Sequence, residues 1–408
     1  MKINKYYPFA AIYFFFNSVG LPFGFTYTAL LAPVFCVWLI LRKKYNFLLY
    51  FFLLVLPFVA AHLWSGVDLV FYARSLVLHF TVYVFGYAFY TFLQQQETSL
   101  GVIYRNLLMH NFLLTLVALA ALFTPLISYF WTTLAISLQL SNLPRLRMFT
   151  YEPSYYSTLL IPLFLYYFTK VLLRKNRSAA PQLLLMAGLP LILSFSMGVL
   201  ASAALSVAIL LVVHSDRFLT NKRLLQTIAA FVILVLLVLV VLLVFYRDNP
   251  LFVRISGILA GEDQSGRGRT IEAFQLAYKI ATEKSLWWGV GFGQLKIIGD
   301  PIIKEFYQYP PDYGTVSIPS VFAETFASFG LVGAGLRLFV QVWLFFRTRV
   351  LGNFYRTLLF FHIFIYQFTG SFTTNFAEYV IWILAFVNVF PALDVKASSV
   401  RTQPEVAV

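Results

Sequence analysis

Long apolar runs, separated by short polar segments, recur along the chain. A helix that crosses a bilayer needs about 20 apolar residues, and most of the runs approach this length. They predict twelve membrane spans, near residues 7–24, 26–41, 46–64, 75–93, 107–124, 155–173, 181–195, 198–213, 224–246, 319–346, 355–371 and 376–394. The pattern therefore predicts an all-α polytopic membrane protein that forms a single transmembrane domain over residues 1–408.

One polar interval, residues 247–318, is much longer than the others. Within it, residues 269–284 carry apolar side chains at helical spacing, namely Ile271, Phe274, Tyr278 and Ala281. This spacing predicts an amphipathic helix that lies on the membrane or caps the helix bundle. The glycines of "GVGFG" (289–293) predict a sharp turn, because glycine readily adopts positive φ. We therefore expect a large loop that carries an amphipathic helix.

The composition excludes a soluble domain. The chain is 60% hydrophobic and only 11% charged, whereas a soluble domain is about half apolar and about a quarter charged. The net charge of +14 would suggest a nucleic-acid partner in a soluble protein. In a membrane protein, basic cytoplasmic loops account for the same charge. The expected surroundings are therefore a lipid bilayer, with no nucleic acid.

The basic segments also predict the topology. Segments 170–177 and 214–223 are both rich in Lys and Arg, so both are expected to be cytoplasmic. "SFSMG" (194–198) then becomes the outer tip of a tight hairpin between two spans. Both termini are predicted to be cytoplasmic, and the loop 247–318 to lie on the outer side. Arg337 lies within a span, and we expect its side chain to snorkel to the cytoplasmic face.

This topology collects three glutamates and several arginines on the outer side. Glu152, Glu324 and Glu378 each lie at the outer start of a span, where the helix dipole favours a carboxylate by about 0.3–1 kcal/mol. A purely structural role is therefore one interpretation of each glutamate. As a set, they suit glycan transfer from a lipid diphosphate. Arginines would hold the diphosphate, and a carboxylate would accept the proton of the acceptor hydroxyl. Neither a metal nor a cofactor is predicted.

Four stretches carry a resemblance to a known family. They are "FTYEPSYYS" (149–157), "LSFSMGVLASA" (193–203), "GRGRTIEAFQLAYKIATEKSLWWGVGFGQL" (266–295) and "TGSFTTNFAEYVIWILAF" (369–386). In this order, with the large loop, the chain resembles the bacterial O-antigen and exopolysaccharide polymerases (Wzy-type), in the group that includes the O-antigen ligases. The resemblance implies a GT-C-like glycosyltransferase of the bacterial inner membrane.

The implied reaction uses two undecaprenyl-diphosphate-linked oligosaccharides at the periplasmic face. The glycan on one carrier is transferred to the non-reducing end of the repeat unit on the other. The resemblance also implies that the enzyme works beside a flippase and a chain-length regulator. No sugar or linkage follows from it.

The candidate site residues come from two sources. Motif match to the family suggests Glu152, Arg267, Arg269, Asn375 and Glu378, whereas charge and position add the others. The catalytic candidates are Glu152, Glu378 and Glu324, and which of them is the base stays open. The diphosphate-binding candidates are Arg147, Arg267, Arg269 and Arg145. The glycan-binding candidates are Tyr151, Ser154, Tyr155, Asn375, Tyr309 and Asp312.

Two alternatives to a polymerase remain. Ligases of the group tend to have a His-Asn pair upstream of a Gly-x-x-Gly turn, and here Pro319 and Ser320 stand at that place, before "GLVG" (330–333). This departure favours a polymerase over a ligase that transfers glycan to a different acceptor. A transporter or flippase is the other alternative. Transporters tend to have polar groups near the bilayer midplane, and charge at mid-depth is scarce in this sequence.

Overall fold

The computed structural model describes residues 27–94, 100–133, 144–173, 179–219, 268–310, 312 and 314–395, which are mostly helical. The predicted spans 7–24 and 224–246 lie outside the described residues, as does Arg267. Where the other ten spans are predicted, the structure has helices.

Among the described residues, ten helices precede the predicted large loop. They are α1 (Tyr27–Leu30), α2 (Ala32–Leu41), α3 (Asn46–Trp64), α4 (Leu69–Gln94), α5 (Leu100–Ala121), α6 (Ile127–Phe130), α7 (Pro153–Leu172), α8 (Ala180–Leu193), α9 (Met197–Val213) and α10 (Ser215–Leu219). Two short antiparallel strands, β1 (Trp131–Thr132) and β2 (Arg145–Leu146), pair Trp131 with Leu146.

Five further helices complete the described chain. They are α11 (Ile271–Thr282), α12 (Gly299–Tyr307), α13 (Val321–Arg347), α14 (Phe354–Tyr366) and α15 (Phe376–Phe386). Short 3₁₀ turns lie at Gln294–Lys296, Val350–Gly352 and Pro391–Leu393.

Several helices have the length and composition of membrane spans. Within the described ranges, α3, α4, α5 and the segment 321–352, which contains α13, are long and apolar enough to cross a bilayer. Five shorter helices, α2, α8, α9, α14 and α15, are also apolar. The protein is therefore a multi-pass membrane protein, as the hydrophobic pattern predicts.

The helix bundle has one large apolar core around α14. Helix α14 packs against α7, α9 and α15, and α15 in turn packs against α4. The turn predicted at 194–198 is found between α8 and α9, where Phe195 has a φ of 50°. The two helices that it joins pack mainly against different partners, α8 against α5 and α7, and α9 against α14. This turn therefore sends the chain to a different part of the bundle.

Helix α13 is interrupted at Gly330, although the sequence predicts one continuous span there. Gly330 has φ 64° and ψ −163°, outside the helical region. A Cβ at this position would lie 2.3 Å from the Trp287 carbonyl group, so glycine is required. After the break, the Leu331 amide donates to the Leu286 carbonyl (2.9 Å). The break thus attaches α13 to the segment that precedes "GVGFG".

The described residues of 268–318 form a second apolar cluster, which we call the cap. Helix α11 is present, as predicted, but its buried face matches the prediction only in part: Ala281 is buried and Phe274 packs against the cluster, whereas the other two predicted residues are exposed. Ile271 and Tyr278 are 69% and 54% exposed. The buried face packs on α13 and consists of side chains at i, i+3, i+4 and i+7, namely Ala273, Leu276, Ala277 and Ile280. Small alanines let the two helix backbones approach closely, which larger apolar side chains would prevent.

Hydrogen bonds join the cap to α3 and α4. His62 donates from Nε2 to the Trp288 carbonyl (2.8 Å), and its Nδ1 accepts from the Tyr72 hydroxyl (3.1 Å). This assignment follows because a carbonyl oxygen can only accept. The Gln294 side chain accepts from the Asp68 amide (3.0 Å) and donates to the Asp68 carbonyl (3.1 Å). The cap is therefore fixed to the bundle at several points.

The glycines of residues 289–293 allow this close approach. Gly289, Gly291 and Gly293 all have positive φ, so the predicted sharp turn is confirmed. A Cβ at Gly293 would lie 2.4 Å from the Phe71 carbonyl oxygen of α4. The turn brings the cap into contact with α3 and α4, next to the break in α13.

Candidate functional site

The start of α15 is set by an asparagine cap. The Asn375 side-chain oxygen accepts from the amides of Ala377 (3.0 Å) and Glu378 (3.3 Å). Such bonds are usual for an asparagine that precedes a helix. Its Nδ2 donates to the Ser371 hydroxyl (2.8 Å). Asn375 therefore fixes Glu378 in the first turn of α15 through its side-chain oxygen. Its side-chain nitrogen binds Ser371 in the preceding loop.

Glu378 is fully buried and is bonded to several donors. Its carboxylate forms an ion pair with Arg337 of α13 and accepts from the Ser371 hydroxyl. The Trp382 indole, one turn further along α15, donates to the same carboxylate (3.3 Å). The charge is thus compensated inside the protein.

Arg337 contradicts the expectation that it snorkels to the cytoplasmic face. Besides Glu378, its guanidinium donates to the side chains of Gln367 (2.9 Å) and Thr325 (3.3 Å). Gln341 also bonds to Gln367, at 2.9 and 3.0 Å. Snorkelling would leave Glu378 without its counter-charge, which is costly in a buried site. Arg337 is therefore a residue of this site that sequence reasoning missed, although a lone arginine in a span was the signal.

Glu324 ties α13 to the loop before α15. Its carboxylate accepts from the backbone amide (2.8 Å) and the hydroxyl (2.9 Å) of Thr373. The first amides of α13 also bond to this loop, Val321 to the Gly370 carbonyl (3.0 Å) and Phe322 to the Gln367 carbonyl (3.1 Å). Glu324 and Glu378 thus hold the loop between α14 and α15 from two sides.

Glu152 has different surroundings at the start of α7. It precedes Pro153, which begins the helix as predicted, and its backbone is extended (φ −147°, ψ 140°). The carboxylate does not cap α7 and instead accepts from the Ser154 hydroxyl. Among the described residues, no salt bridge includes Glu152. The side chain is half-buried, so it keeps access to solvent.

Three of the predicted charged residues lie near Tyr366, the last residue of α14. Arg269, Glu152 and Glu378 all interact electrostatically with the Tyr366 hydroxyl. These three residues come from the cap, the start of α7 and the first turn of α15. Sequence reasoning missed Tyr366, because a tyrosine near the end of an aromatic-rich span does not stand out.

An aromatic group adjoins Glu152. The ring of Tyr151 lies 5.2 Å from that of Tyr155 and 6.1 Å from that of Phe372, and Tyr155 stacks on Phe372 at 6.0 Å. Tyr155 is buried, whereas Tyr151 is exposed. Of the predicted glycan-binding residues, Tyr151, Ser154 and Tyr155 therefore lie beside Glu152.

The other predicted ligands have different contacts. Arg145 donates to the Ser194 carbonyl (3.2 Å) and Arg147 to the Ser128 carbonyl (2.7 Å), so both arginines bond to backbone groups. Tyr309 and Asp312 are exposed on the cap, where the Tyr309 ring lies 5.5 Å from that of Tyr307. In the part of the chain that the structure describes, no three His, Cys, Asp or Glu residues are grouped so as to hold a metal ion.

The comparison with known families agrees with this geometry. Residues 182–338 match the Wzy_C family model, which is described as O-antigen ligase. This stretch of the chain is similar to the O-antigen ligase family. The match confirms the predicted resemblance to the O-antigen polymerase and ligase group and supports a glycan-transferring enzyme with lipid-linked substrates. No significant match was found among curated proteins.

The stretch that matches the O-antigen ligase family model covers only part of the candidate site. It begins in α8, includes the cap, and ends just after Arg337. Arg269, Glu324 and Arg337 lie inside it, whereas Glu152 and Glu378 lie on either side of it in the chain. The candidate site therefore takes residues from the matched stretch and from the helices that flank it.

Proposed function

We propose that the protein is a polysaccharide polymerase of the bacterial inner membrane. It transfers an undecaprenyl-diphosphate-linked glycan onto the non-reducing end of another lipid-linked repeat unit, at the periplasmic face. The observation that supports this most is that the charges of Glu152, Arg269 and Glu378 all act on the Tyr366 hydroxyl, with Arg269 in the stretch that matches the O-antigen ligase family model. The proposal includes a GT-C-like bundle of twelve spans with both termini in the cytoplasm.

Glu152 is the general base in this proposal. Its carboxylate is half-buried and bonded to a neutral hydroxyl, so it is free to accept a proton. The acceptor hydroxyl oxygen attacks the anomeric carbon of the donor and passes its proton to Glu152. The bond between that carbon and the diphosphate breaks, and undecaprenyl diphosphate leaves with the electron pair. Arginines offset the charge that develops on the leaving group, without a metal.

The remaining predicted residues divide by role. Arg269 is the first diphosphate ligand because of its place beside Tyr366, and Arg147 and Arg267 act with it. Tyr151 and Tyr155 offer aromatic surface to a sugar of the acceptor. Asn375 and Glu378 act as positioning residues, since their bonds hold Ser371 and Arg337.

A ligase is the second candidate, because the matching family model is described as O-antigen ligase. Ser320 weighs against it. This residue stands where ligases of the group tend to have the His-Asn pair, and here it caps α13, accepting from the Ala323 amide (3.4 Å) and donating to the Gln367 carbonyl (3.2 Å). At the place of the ligase His-Asn pair, this chain therefore has a helix cap.

Reconstitution with a lipid-linked repeat unit tests the proposal. Purified wild-type protein in detergent is expected to produce a ladder of longer lipid-linked glycans, whereas Glu152→Gln leaves single repeat units. Glu272→Gln is the matched control, because Glu272 lies on the cap and accepts from the Tyr307 hydroxyl (3.0 Å). Transfer only to an added non-carrier acceptor would indicate a ligase. No transfer of either kind would reject the proposal.

A further inference from the structure

An apolar cavity of about 530 Å³ lies between α3, α4, α13 and α15. Its walls are mostly aliphatic and aromatic, with Phe51, Val82, Leu336 and Ile383 among them. Ligand sites typically have volumes of about 300–1,000 Å³ and apolar walls with a few polar groups. The cavity therefore has the size and chemistry of a site for an apolar ligand.

The cavity is elongated along α4. It is lined by side chains from His79 to Tyr90. This stretch of helix spans about 16 Å at ~1.5 Å per residue. The length is roughly half of the ~30 Å hydrocarbon core of a bilayer. A channel with this direction and length suits a hydrocarbon chain better than a compact head group.

One side of the cavity opens toward lipid. Leu54 of α3 and Val340 of α13 both line it, yet they are 49% and 38% exposed. Their neighbours Leu53 and Phe339 are also exposed, so the opening lies on an apolar surface. In a membrane this surface faces acyl chains. A lipid chain can therefore enter sideways without leaving the bilayer.

The polar lining groups include a cluster near the start of α15. Thr325, Arg337, Thr373 and Tyr379 all line the cavity, and the Tyr379 hydroxyl donates to the Thr373 carbonyl (2.9 Å). Arg337 is bonded to Glu378, which interacts with Tyr366. This polar end of the cavity therefore adjoins the site where we place the chemistry.

A second group at the cavity has an unused bonding atom. His79 donates from Nδ1 to the Ser75 carbonyl (2.8 Å), because a carbonyl can only accept. Its Nε2 is buried and has no partner among the described residues. A buried polar atom without a partner is uncommon and needs an explanation. Water in the cavity would supply one, because Nε2 of the neutral ring accepts a hydrogen bond and a hydrocarbon chain has no donor.

We propose that this cavity binds the isoprenoid chain of one of the two lipid-linked substrates. The first isoprene units lie near Arg337 and Thr373, and the chain runs toward Tyr90. This inference rests on the proposed function, which supplies a polyprenyl diphosphate. The polar end of the cavity adjoins the proposed site through the Arg337–Glu378 pair, and the apolar walls suit the chain behind the head group.

Photolabelling of the full-length protein tests the site. The probe is a polyprenyl diphosphate without glycan, with a diazirine at the far end of its chain. We expect labelled residues on the cavity walls near Tyr90, such as Leu344 or Phe386. Val340→Trp is expected to block the opening and reduce labelling about tenfold, which corresponds to ~1.4 kcal/mol. Val342→Trp is the matched control, because Val342 is exposed on the same helix and does not line the cavity.

A second variant fills the cavity from its inner wall. A Cβ at Gly86 would meet only the Ile383 Cδ1 atom, at an ordinary 3.7 Å, so Gly86→Leu is expected to fold and to extend into the cavity. It should also reduce labelling about tenfold. Unchanged labelling in both variants, or labels that map outside the cavity, would overturn the proposal.

A phospholipid probe identifies the alternative occupant. Phosphatidylglycerol with a diazirine at the end of one chain is expected to label the cavity weakly and to be displaced by polyprenyl diphosphate. Equal labelling that polyprenyl diphosphate does not displace would mean that the cavity holds bulk lipid, and the inference would be wrong. Chain elongation is measured separately. Elongation without cavity labelling rejects only this inference, whereas cavity labelling without any glycan transfer rejects the proposed function.

Discussion

Glu152 and Glu378 both lie near the start of a helix, yet their surroundings differ. Each is near the start of an apolar helix, α7 or α15, and each interacts with Tyr366. Glu378 is fully buried and paired with Arg337. Glu152 is half-buried, and its carboxylate accepts from the neutral Ser154 hydroxyl. The same residue type at the same kind of position therefore has two different electrostatic environments.

The difference separates two roles. A buried ion pair holds its partners in a fixed arrangement, and removal of one partner leaves an uncompensated charge. A general base must instead reach the substrate and accept a proton. We therefore assign Glu378 to the positioning of Arg337 and the nearby loop, and Glu152 to the chemistry.

The largest expected effect is on stability, at the buried ion pair. Glu378→Leu leaves Arg337 unpaired, and we expect the free energy of unfolding in detergent to fall by about 3–5 kcal/mol. Adding Arg337→Met should restore most of this loss, because neither charge is then left alone. Denaturant unfolding of the two single variants and the double variant measures the coupling. Additive losses would mean that the two side chains do not act as a pair.

The break in α13 helps to place Arg337 beside Glu378. Arg337 bonds to Thr325 across this break, so the geometry at Gly330 positions the guanidinium. Gly330→Ala places a Cβ against the Trp287 carbonyl and is expected to cost about 1–3 kcal/mol. Gly335→Ala is the control on the same helix, where a Cβ meets nothing within 4 Å. Equal thermal stability of the two variants would show that the break is not required.

The aromatic residues beside Glu152 are expected to bind the sugar of the substrate. We expect Tyr151→Leu to raise the KM for the lipid-linked repeat about 2–10-fold, the factor that corresponds to ~0.5–1.5 kcal/mol of aromatic contact. The kcat should change little. Tyr129→Leu is the control, since Tyr129 is also exposed but lies on α6. A lower kcat at unchanged KM would place Tyr151 in the chemistry.

The smallest effect concerns the cap, which carries Arg269. The Val316 backbone amide (2.8 Å) and the Lys304 ammonium (2.9 Å) hold the pKa of Asp300 below its usual value. A lowered carboxyl pKa adds stability above the unfolded value of about 3.9, and this stability is lost as the pH falls through the folded pKa.

Hydrogen exchange checks this pH dependence. We expect protection of residues 314–318 to fall below about pH 4 in the wild type. The Asp300→Asn variant should have lower protection at neutral pH and no such step. If the Asp300→Asn variant lost protection over the same pH range as the wild type, a titrating group other than Asp300 would be responsible.

The sequence predicts much of the helical arrangement because membrane spans need long apolar runs. The helices at Asn46–Trp64 and Pro153–Leu172 begin and end close to the predicted limits, and the glycine turn at 289–293 has the predicted conformation. These features depend on local composition. The buried face of α11 was predicted only in part, because the spacing of its alanines matters only once α13 is known to lie beside it.

The candidate site depends on contacts between distant segments, which one sequence does not reveal. The pairing of Arg337 with Glu378 joins residues 41 positions apart and requires a break in α13. The electrostatic interaction of Tyr366 with Glu152 and Arg269 also follows only from the packing of distant segments, such as α14 on α7. Charge and topology suggest the glutamates as candidates, but three-dimensional contacts are needed to show how their surroundings differ.

The most direct test of this separation is the single-turnover rate of glycan transfer for Glu152→Gln, with the unfolding free energy measured on the same sample. We expect the rate to fall about 10²–10⁴-fold, as for loss of a general base. The unfolding free energy should change by less than ~0.5 kcal/mol. A rate within about tenfold of wild type, together with a folded Glu378→Gln variant that transfers no glycan, would contradict the account and make Glu378 the base.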